Sequence, residues 1–264
     1  MKPPRCVLTI AGSDSGAGAG VQADARTIHA LGGYALTAIT AVTAQNTRGV
    51  QCWSPVASAL LAAQLESVLG DFPVAAIKTG LLPGAAAVRI VAAALARHPK
   101  IPLVVDPMIG STSGTRFLSP AARRTLKNEL LPRATLVTPN WPEAAALTGR
   151  PVRTFIEAEQ AGRNLAEQCG CAVLVKGGHG PGAMCRDCLI LSDGTVHWFT
   201  ARRIATRNTH GTGCVLSAAI AAELARGRTV LAAVETAREF LHGALRTGRF
   251  VRWGQGAGSA FSGE

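Results

Sequence analysis

The sequence predicts an α/β protein built on a mostly parallel sheet, and three observations predict it. Short apolar runs alternate with Ala- and Leu-rich stretches at helical spacing along most of the 264 residues, the pattern of successive βαβ units. The first apolar run ends in a glycine-rich loop, Gly12-Ser13-Asp14-Ser15-Gly16-Ala17-Gly18-Ala19-Gly20, that opens a helix. The chemically informative residues recur at the carboxyl ends of the runs, where ligands of open α/β sheets gather.

In chain order, residues 5–11 read as a first strand and 21–31 as a helix stopped by Gly32-Gly33. Strands follow at 36–43, 75–78, 103–106, 135–138 and 172–176. Helices fall at 57–69, 85–97, 120–131, 143–147 and 156–168. Residues 188–191 and 196–200 flank Ser192-Asp193-Gly194-Thr195 as a hairpin at the sheet edge. Two more helices, 213–226 and 230–246, precede a Gly-rich tail. No repeat and no composition shift marks a linker, so residues 1–252 read as a single domain and 253–264 as a loosely ordered tail. This order puts the glycine-rich loop, residues 43–46, Lys78-Thr79-Gly80, Asp106-Pro107, Thr138-Pro139-Asn140 and Lys176-Gly177-Gly178-His179 around one rim.

Composition narrows the class. At about 150 residues per domain the length fits one large domain, or one with a small appendage. Hydrophobic residues are 48% of the chain, charged 16% and aromatic 5%, which excludes intrinsic disorder and builds the core from Ala, Val, Leu and Ile. No apolar run approaches the roughly 18 residues of a membrane span. Residues 6–11 are too short for a signal-peptide core and Asp14 follows closely, which points to a cytoplasmic protein. Lys+Arg total 27 against 16 Asp+Glu, and a formal charge of +11 favours an anionic partner: nucleic acid, acidic lipid or a phosphorylated metabolite. The basic residues are scattered, with Arg123-Arg124 and Arg202-Arg203 the densest pairs, which favours a phosphate-handling pocket over a DNA groove. Seven cysteines, an odd number, point to free thiols in a reducing compartment. Cys169-x-Cys171 and Cys185-x-x-Cys188 invite a zinc reading, but the first pair runs into an apolar strand whose alternate side chains face opposite ways, so these read as core or strand residues.

The glycine-rich loop fits no common nucleotide motif. G-x-G-x-x-G would need glycine at Val21 or Ala23, and no Gly-Lys-Ser or Gly-Lys-Thr occurs. Two readings stay open: a tight strand-to-helix turn, or a backbone that a flat substrate approaches closely. Asn208-Thr209-His210-Gly211-Thr212-Gly213-Cys214 is the strongest local signal, because it opens an Ala-rich helix whose free amides and dipole suit the γ-phosphate of a nucleotide. Cys214, in the first turn of that helix, is expected to have a depressed thiol pKa and to serve as base, nucleophile or hydroxyl-orienting group. As plain structure the segment is only an N-cap. Asn140-x-x-Glu143, with Asp106 from the neighbouring strand end, suits a hydrated Mg²⁺ bridging phosphates, whereas alone it is simply a good helix start. Lys78 and Lys176 end strands, in a chain with five Lys, and could neutralise phosphate. Gln45 offers the donor and acceptor that an aminopyrimidine edge displays, with loop capping as its rival role.

This set, in this order, resembles the ribokinase-like superfamily, and within it the hydroxymethylpyrimidine/phosphomethylpyrimidine kinases of thiamin biosynthesis. The resemblance covers roughly residues 7–245 and rests on Leu8-Thr9-Ile10-Ala11-Gly12-Ser13-Asp14, Gly18-Ala19-Gly20-Val21-Gln22-Ala23-Asp24, Ala44-Gln45-Asn46-Thr47, Lys78-Thr79-Gly80-Leu81-Leu82, Asp106-Pro107, Thr138-Pro139-Asn140, Pro142-Glu143-Ala144, Lys176-Gly177-Gly178-His179 and the segment ending at Cys214. It implies a three-layer α/β/α fold and ATP- and Mg²⁺-dependent phosphorylation of 4-amino-5-hydroxymethyl-2-methylpyrimidine, then of its monophosphate. By the same implication Gly12, Ala19, Asp24, Gln45, Leu81 and Met108 line the pyrimidine pocket. Gly211, Gly213 and Cys214 form the anion hole and catalytic position, which is an Asp in the sugar kinases of the superfamily. Asp106, Asn140 and Glu143 hold Mg²⁺ and phosphate, and Lys176, Thr209, Thr212 and Arg238 face the nucleotide. A homodimer is implied, with no nucleic-acid or membrane partner.

The chain departs from the family at Ser15-Gly16-Ala17, in place of a Ser-Gly-Gly type of turn, at residues 108–112 after Asp-Pro, and in its ending. Pyridoxal or pyridoxine kinase, which shares the fold and the turn before Cys214, is the nearest rival, and Gln45 within Ala44-Gln45-Asn46-Thr47 favours the pyrimidine. A nucleic-acid-binding protein rests on the charge alone and lacks a set of stacking aromatics. If Cys214 acts on the acceptor's proton, it should matter more for the alcohol than for the monophosphate, whose second pKa near 6 leaves it ionised at about pH 7.

Overall fold

Alternation of side chains along the strands divides the apolar residues between two cores, one on each face of a single sheet. The computed structural model describes residues 4–110 and 117–260, so Ser111 and Thr112 of the stretch after Asp106-Pro107 lie outside the described residues, as do 261–264 of the tail. Among the described residues the sheet has nine strands: β1 Cys6–Ser13, β2 Tyr34–Asn46, β3 Gly49–Pro55, β4 Val74–Thr79, β5 Leu103–Val105, β6 Leu136–Val137, β7 Ala172–Val175, β8 Met184–Ile190 and β9 Val196–Arg202. Their order is β3-β2-β1-β4-β5-β6-β7-β8-β9. The pairs from β2 through β7 are parallel, while β3 and the β8–β9 hairpin are antiparallel edges.

The helices are α1 Gly20–Ala30, α2 Ser58–Asp71, α3 Gly84–Ala96, α4 Pro120–Thr125, α5 Trp141–Thr148, α6 Phe155–Cys169, α7 Thr212–Ala225 and α8 Val230–Gly248. Leu8, Ile10, Ile77, Val105, Val137 and Val173 pack with α2 to α6 on one face. Val7, Ala76, Val104, Leu136 and Leu174 pack with α1, α7 and α8 on the other. This is the three-layer arrangement that the family resemblance implied. Every residue of α7 from Cys214 onward is buried, which is why it is built from Ala, Val, Ile and Leu on all sides and not on one stripe.

Three features differ from the sequence expectation. The second strand runs to Asn46 and folds back as β3, over residues to which the sequence assigns no element, since they are mostly exposed and carry no apolar run. The helix expected over 120–131 widens after Thr125 into a π turn, Leu126–Leu130, and then tightens into a 3-10 turn, Leu131–Arg133, that contains Pro132. Residues 253–260 do not project as a tail. Gly256 donates to Thr47 Oγ1 at 3.0 Å, Gly258 to Asn208 Oδ1 at 3.1 Å, and Ala260 is fully buried.

Beneath the carboxyl edge of the sheet, Lys78 of β4 meets Asp24 of α1 at 2.7 Å, with both side chains fully buried. Thr9 of β1 adds a hydroxyl to the same carboxylate at 2.5 Å. Burial pushes the Asp24 pKa up and would push that of Lys78 down, but the neighbouring Asp24 charge keeps the Lys78 ammonium above its ordinary value. The pair ties the helix that follows the glycine-rich loop to the centre of the sheet. Removing one partner strands a buried charge. We expect Lys78→Met to lose about 3–5 kcal/mol of unfolding free energy, and Lys78→Met with Asp24→Leu to recover most of it, read by urea denaturation. A single variant as stable as the parent would refute the ion pair.

Candidate active site

The carboxyl ends of the parallel strands open into a cavity of about 920 Å³, enough for a nucleotide and a small second ligand. In chain order its lining begins with Gly12, Ala19, Gln45, Leu81, Met108 and Phe117, continues through Asn140, Glu143, Lys176, Thr206 and residues 209–214, and finishes with Arg238 and Leu245.

Asp14 organises the glycine-rich loop. One of its oxygens accepts from the amide of Gly16 at 2.8 Å, the other from Gly18 at 3.1 Å and Ala19 at 2.8 Å. Together with His210 these bonds hold its carboxyl below the ordinary range against the opposing effect of burial. The loop therefore closes around a carboxylate as a tight turn, which settles the turn reading, and Ala19 and Gly20 also face the cavity. Gly20 has a φ of +61°, and a side chain there would collide with the carbonyl of Gly12. His210 Nε2 lies 2.8 Å from Asp14 Oδ2 and 3.0 Å from the Gln45 side-chain amide.

Residue 211 caps α7 with a φ of +80°, and a Cβ there would strike the carbonyl of Gly18, so only glycine lets the helix start come this close to the loop. At Gly213 a Cβ would stand 3.2 Å from Lys176 Nζ and 3.3 Å from Asp106 Oδ2, which places both charges beside the first turn. Cys214 departs from expectation. Its side chain is buried and burial, the largest influence, pushes the thiol up to about 11 despite the nearby Lys78 and a bond from the Gly20 amide. The helix start therefore does not make it a thiolate; it is a protonated group at neutral pH.

Lys176 Nζ contacts Asp106 Oδ1 at 2.7 Å and stands 3.9 Å from Glu143 Oε2. These carboxylates hold its pKa up although burial alone would lower it. Burial raises the Glu143 pKa, with Lys176 opposing. Asn140 and Glu143 cap α5 reciprocally: Asn140 Oδ1 accepts from the Glu143 amide at 2.9 Å and Glu143 Oε2 from the Asn140 amide at 2.8 Å. Asn140 thus holds Glu143 in place while it lines the cavity. Among the described residues no three His, Cys, Asp or Glu are placed to hold a metal, the four paired cysteines included. Yet Asp106 Oδ2 is buried without a hydrogen-bond partner beside Gly213. One or two carboxylates with an unused oxygen fit a Mg²⁺ that takes its other ligands from phosphates and water.

One more expectation changes. Asp24 does not line the cavity; it is spent on Lys78 one layer below, because a carboxylate on that inward face of α1 is enclosed by the sheet. Arg238 lines the cavity wall, paired with Asp187 at 2.7 Å and stacked 4.9 Å over Phe199. Sequence reasoning gave no role to Asp14, His210, Asp187 or Arg203. Asp187 also accepts from the Gly177 amide at 2.7 Å, and Arg203 donates to the carbonyls of Gly178, Gly180 and Gly182. His210 sits inside the motif singled out before α7, which was its only available signal.

Comparison with known proteins places this geometry. The family model described as phosphomethylpyrimidine kinase matches residues 14–260. A hydroxymethylpyrimidine/phosphomethylpyrimidine kinase of Rhizobium meliloti is 46% identical over 95% of this chain and 94% of its own. One from Escherichia coli is 45% identical over 95% and 94%. Among solved structures, the phosphomethylpyrimidine kinase of Clostridium difficile aligns with a TM-score of 0.80 at 35% identity, covering 91% of this chain and 99% of that one. The pyridoxal kinase of Staphylococcus aureus in complex with ADP aligns at 0.89 and 30% identity, covering 97% and 92%. The chain belongs to the phosphomethylpyrimidine kinase family.

Proposed function

We propose that the chain transfers the γ-phosphoryl group of ATP to 4-amino-5-hydroxymethyl-2-methylpyrimidine and then to its monophosphate, in thiamin biosynthesis. The observation that carries this reading is the 3.0 Å approach of Gln45 to His210, which puts an amide suited to an aminopyrimidine edge beside a helix start suited to a terminal phosphate. The names of the relatives support both acceptors, and neighbours solved with ADP or AMP-PCP support a nucleotide in the cavity. The resemblance also extends the proposal to a homodimer in the cytoplasm; among the described residues no helix is long and apolar enough to cross a membrane.

In this reading Gly12, Ala19, Gln45, Leu81 and Met108 bound the acceptor ring. The amides of Gly211, Thr212 and Gly213 receive the transferred group, and Lys176 neutralises charge on it. Thr209 and Arg238 face the rest of the nucleotide. Asp106, with Glu143 through water, would hold Mg²⁺, which offsets charge on the phosphate oxygens when bound. Cys214, being protonated, orients the acceptor oxygen. In a loose transition state the alcohol keeps its proton until late and passes it to the incoming phosphoryl oxygens, so no strong base is required.

A coupled ATP assay with the pyrimidine alcohol, its monophosphate and pyridoxal tests the assignment; faster turnover of pyridoxal than of either pyrimidine overturns it. Lys176→Met is expected to lower kcat by about 10²-fold with the protein still folded. Because the Cys214 thiol titrates near 11, kcat for the alcohol should stay flat between about pH 7 and 9. A tenfold rise per pH unit there would make the thiolate the base. Cys214→Ala should slow both acceptors about equally.

A further inference from the structure

His210 touches both halves of the cavity and is itself gripped from outside by the end of the chain. Its ring contacts Asp14 and Gln45 and covers Gly18, where even a Cβ would collide with it. Its backbone precedes Gly211 directly. The His210 amide donates to the carbonyl of Gly258 at 3.0 Å, and its carbonyl accepts from Ala260 at 3.2 Å, so residues 258–260 lie along it as a short parallel ladder. The same segment reaches the pyrimidine side through Gly256 and Thr47. Asn208 completes the grip: its amide nitrogen donates to Gly248 and Val251 and its oxygen accepts from Gly258, leaving it almost wholly buried.

We propose that His210 is a positioning residue that fixes the glycine-rich loop against the start of α7, and that residues 253–260 are the clamp holding it there. The physical reason is that the anion-binding amides open α7, and His210, just before them, is where that helix start meets the glycine-rich loop through Asp14, Gln45 and Gly18. Phosphoryl transfer between two bound ligands is sensitive to displacements of about 1 Å, so a hub shared by both sites sets the distance between them. The proposal rests on the kinase reading for its acceptor, but not for its nucleotide arm.

The test compares the wild type with His210→Ala, His210→Gln and Gly258→Ala. A Cβ at 258 would strike Asn208 Oδ1 and stand 2.7 Å from Trp253, which loosens the clamp while leaving the histidine ring intact. AMP-PCP binding by calorimetry needs no pyrimidine. It should weaken by at least about fivefold in His210→Ala and in Gly258→Ala, while His210→Gln, whose amide can still meet Asp14, recovers most of the loss. With the pyrimidine alcohol, kcat should fall by about tenfold in His210→Ala with a smaller change in either KM. Folded His210→Ala with AMP-PCP affinity and kcat within about twofold of the wild type overturns the hub. Folded Gly258→Ala with unchanged AMP-PCP affinity overturns the clamp. If His210→Ala fails to fold, Gly258→Ala carries the reading: weakened AMP-PCP binding supports the hub and its clamp, and unchanged binding overturns both. Wild-type binding of AMP-PCP without turnover of the pyrimidine would sink the kinase substrate and leave the hub standing or falling on the nucleotide arm.

Discussion

The site depends on how closely the amino end of α7 approaches the glycine-rich loop after β1. Both backbones must lack side chains at the point of contact: Gly211 meets the carbonyl of Gly18, and Gly18 meets the ring of His210. The contact places amides with no helical partner next to the loop that bounds the ring pocket. It also encloses Cys214, whose thiol receives a bond from the Gly20 amide and is cut off from solvent. One steric requirement thus produces both the anion-binding end and the neutral state of the group beside it.

Around that contact the charges come in stacked pairs. Lys78 with Asp24 lies deepest, Lys176 with Asp106 and Glu143 lies one layer higher, and Asp187 with Arg238 forms the wall. Each cation is matched by carboxylates, so the site can hold strong fields without an unpaired buried charge. The overall formal charge of +11 does not create this arrangement, because the surplus lies on arginines outside it. It does favour the approach of anionic ligands at long range.

Most of the parallel core was legible, because a strand buried on both faces is a short apolar run and each helix between had its own period. Strand β3 was not, since an edge strand exposed on both faces carries no alternation to read. The rim was legible as a set of strand ends, and Gly12, Gln45, Met108, Lys176 and Gly213 line the cavity there. What residue identity could not convey was depth. Asp24 departs from its expected place and Cys214 from its expected ionisation because packing, which spacing does not encode, removes them from water. Asp14 and His210 were missed for a related reason: they lie 196 residues apart, and only the closed sheet brings them together.

The docking of residues 253–260 has a consequence for how the molecule is made. The ladder along His210 joins the last part of the chain to a loop formed by the first twenty residues. Such distant pairings form late, after the intervening segments have collapsed. On the ribosome the sheet and most helices can assemble as they emerge, while the catalytic cleft waits for residues 253–260. Nascent chains that have not yet released this segment would accordingly be compact bodies without the finished cleft.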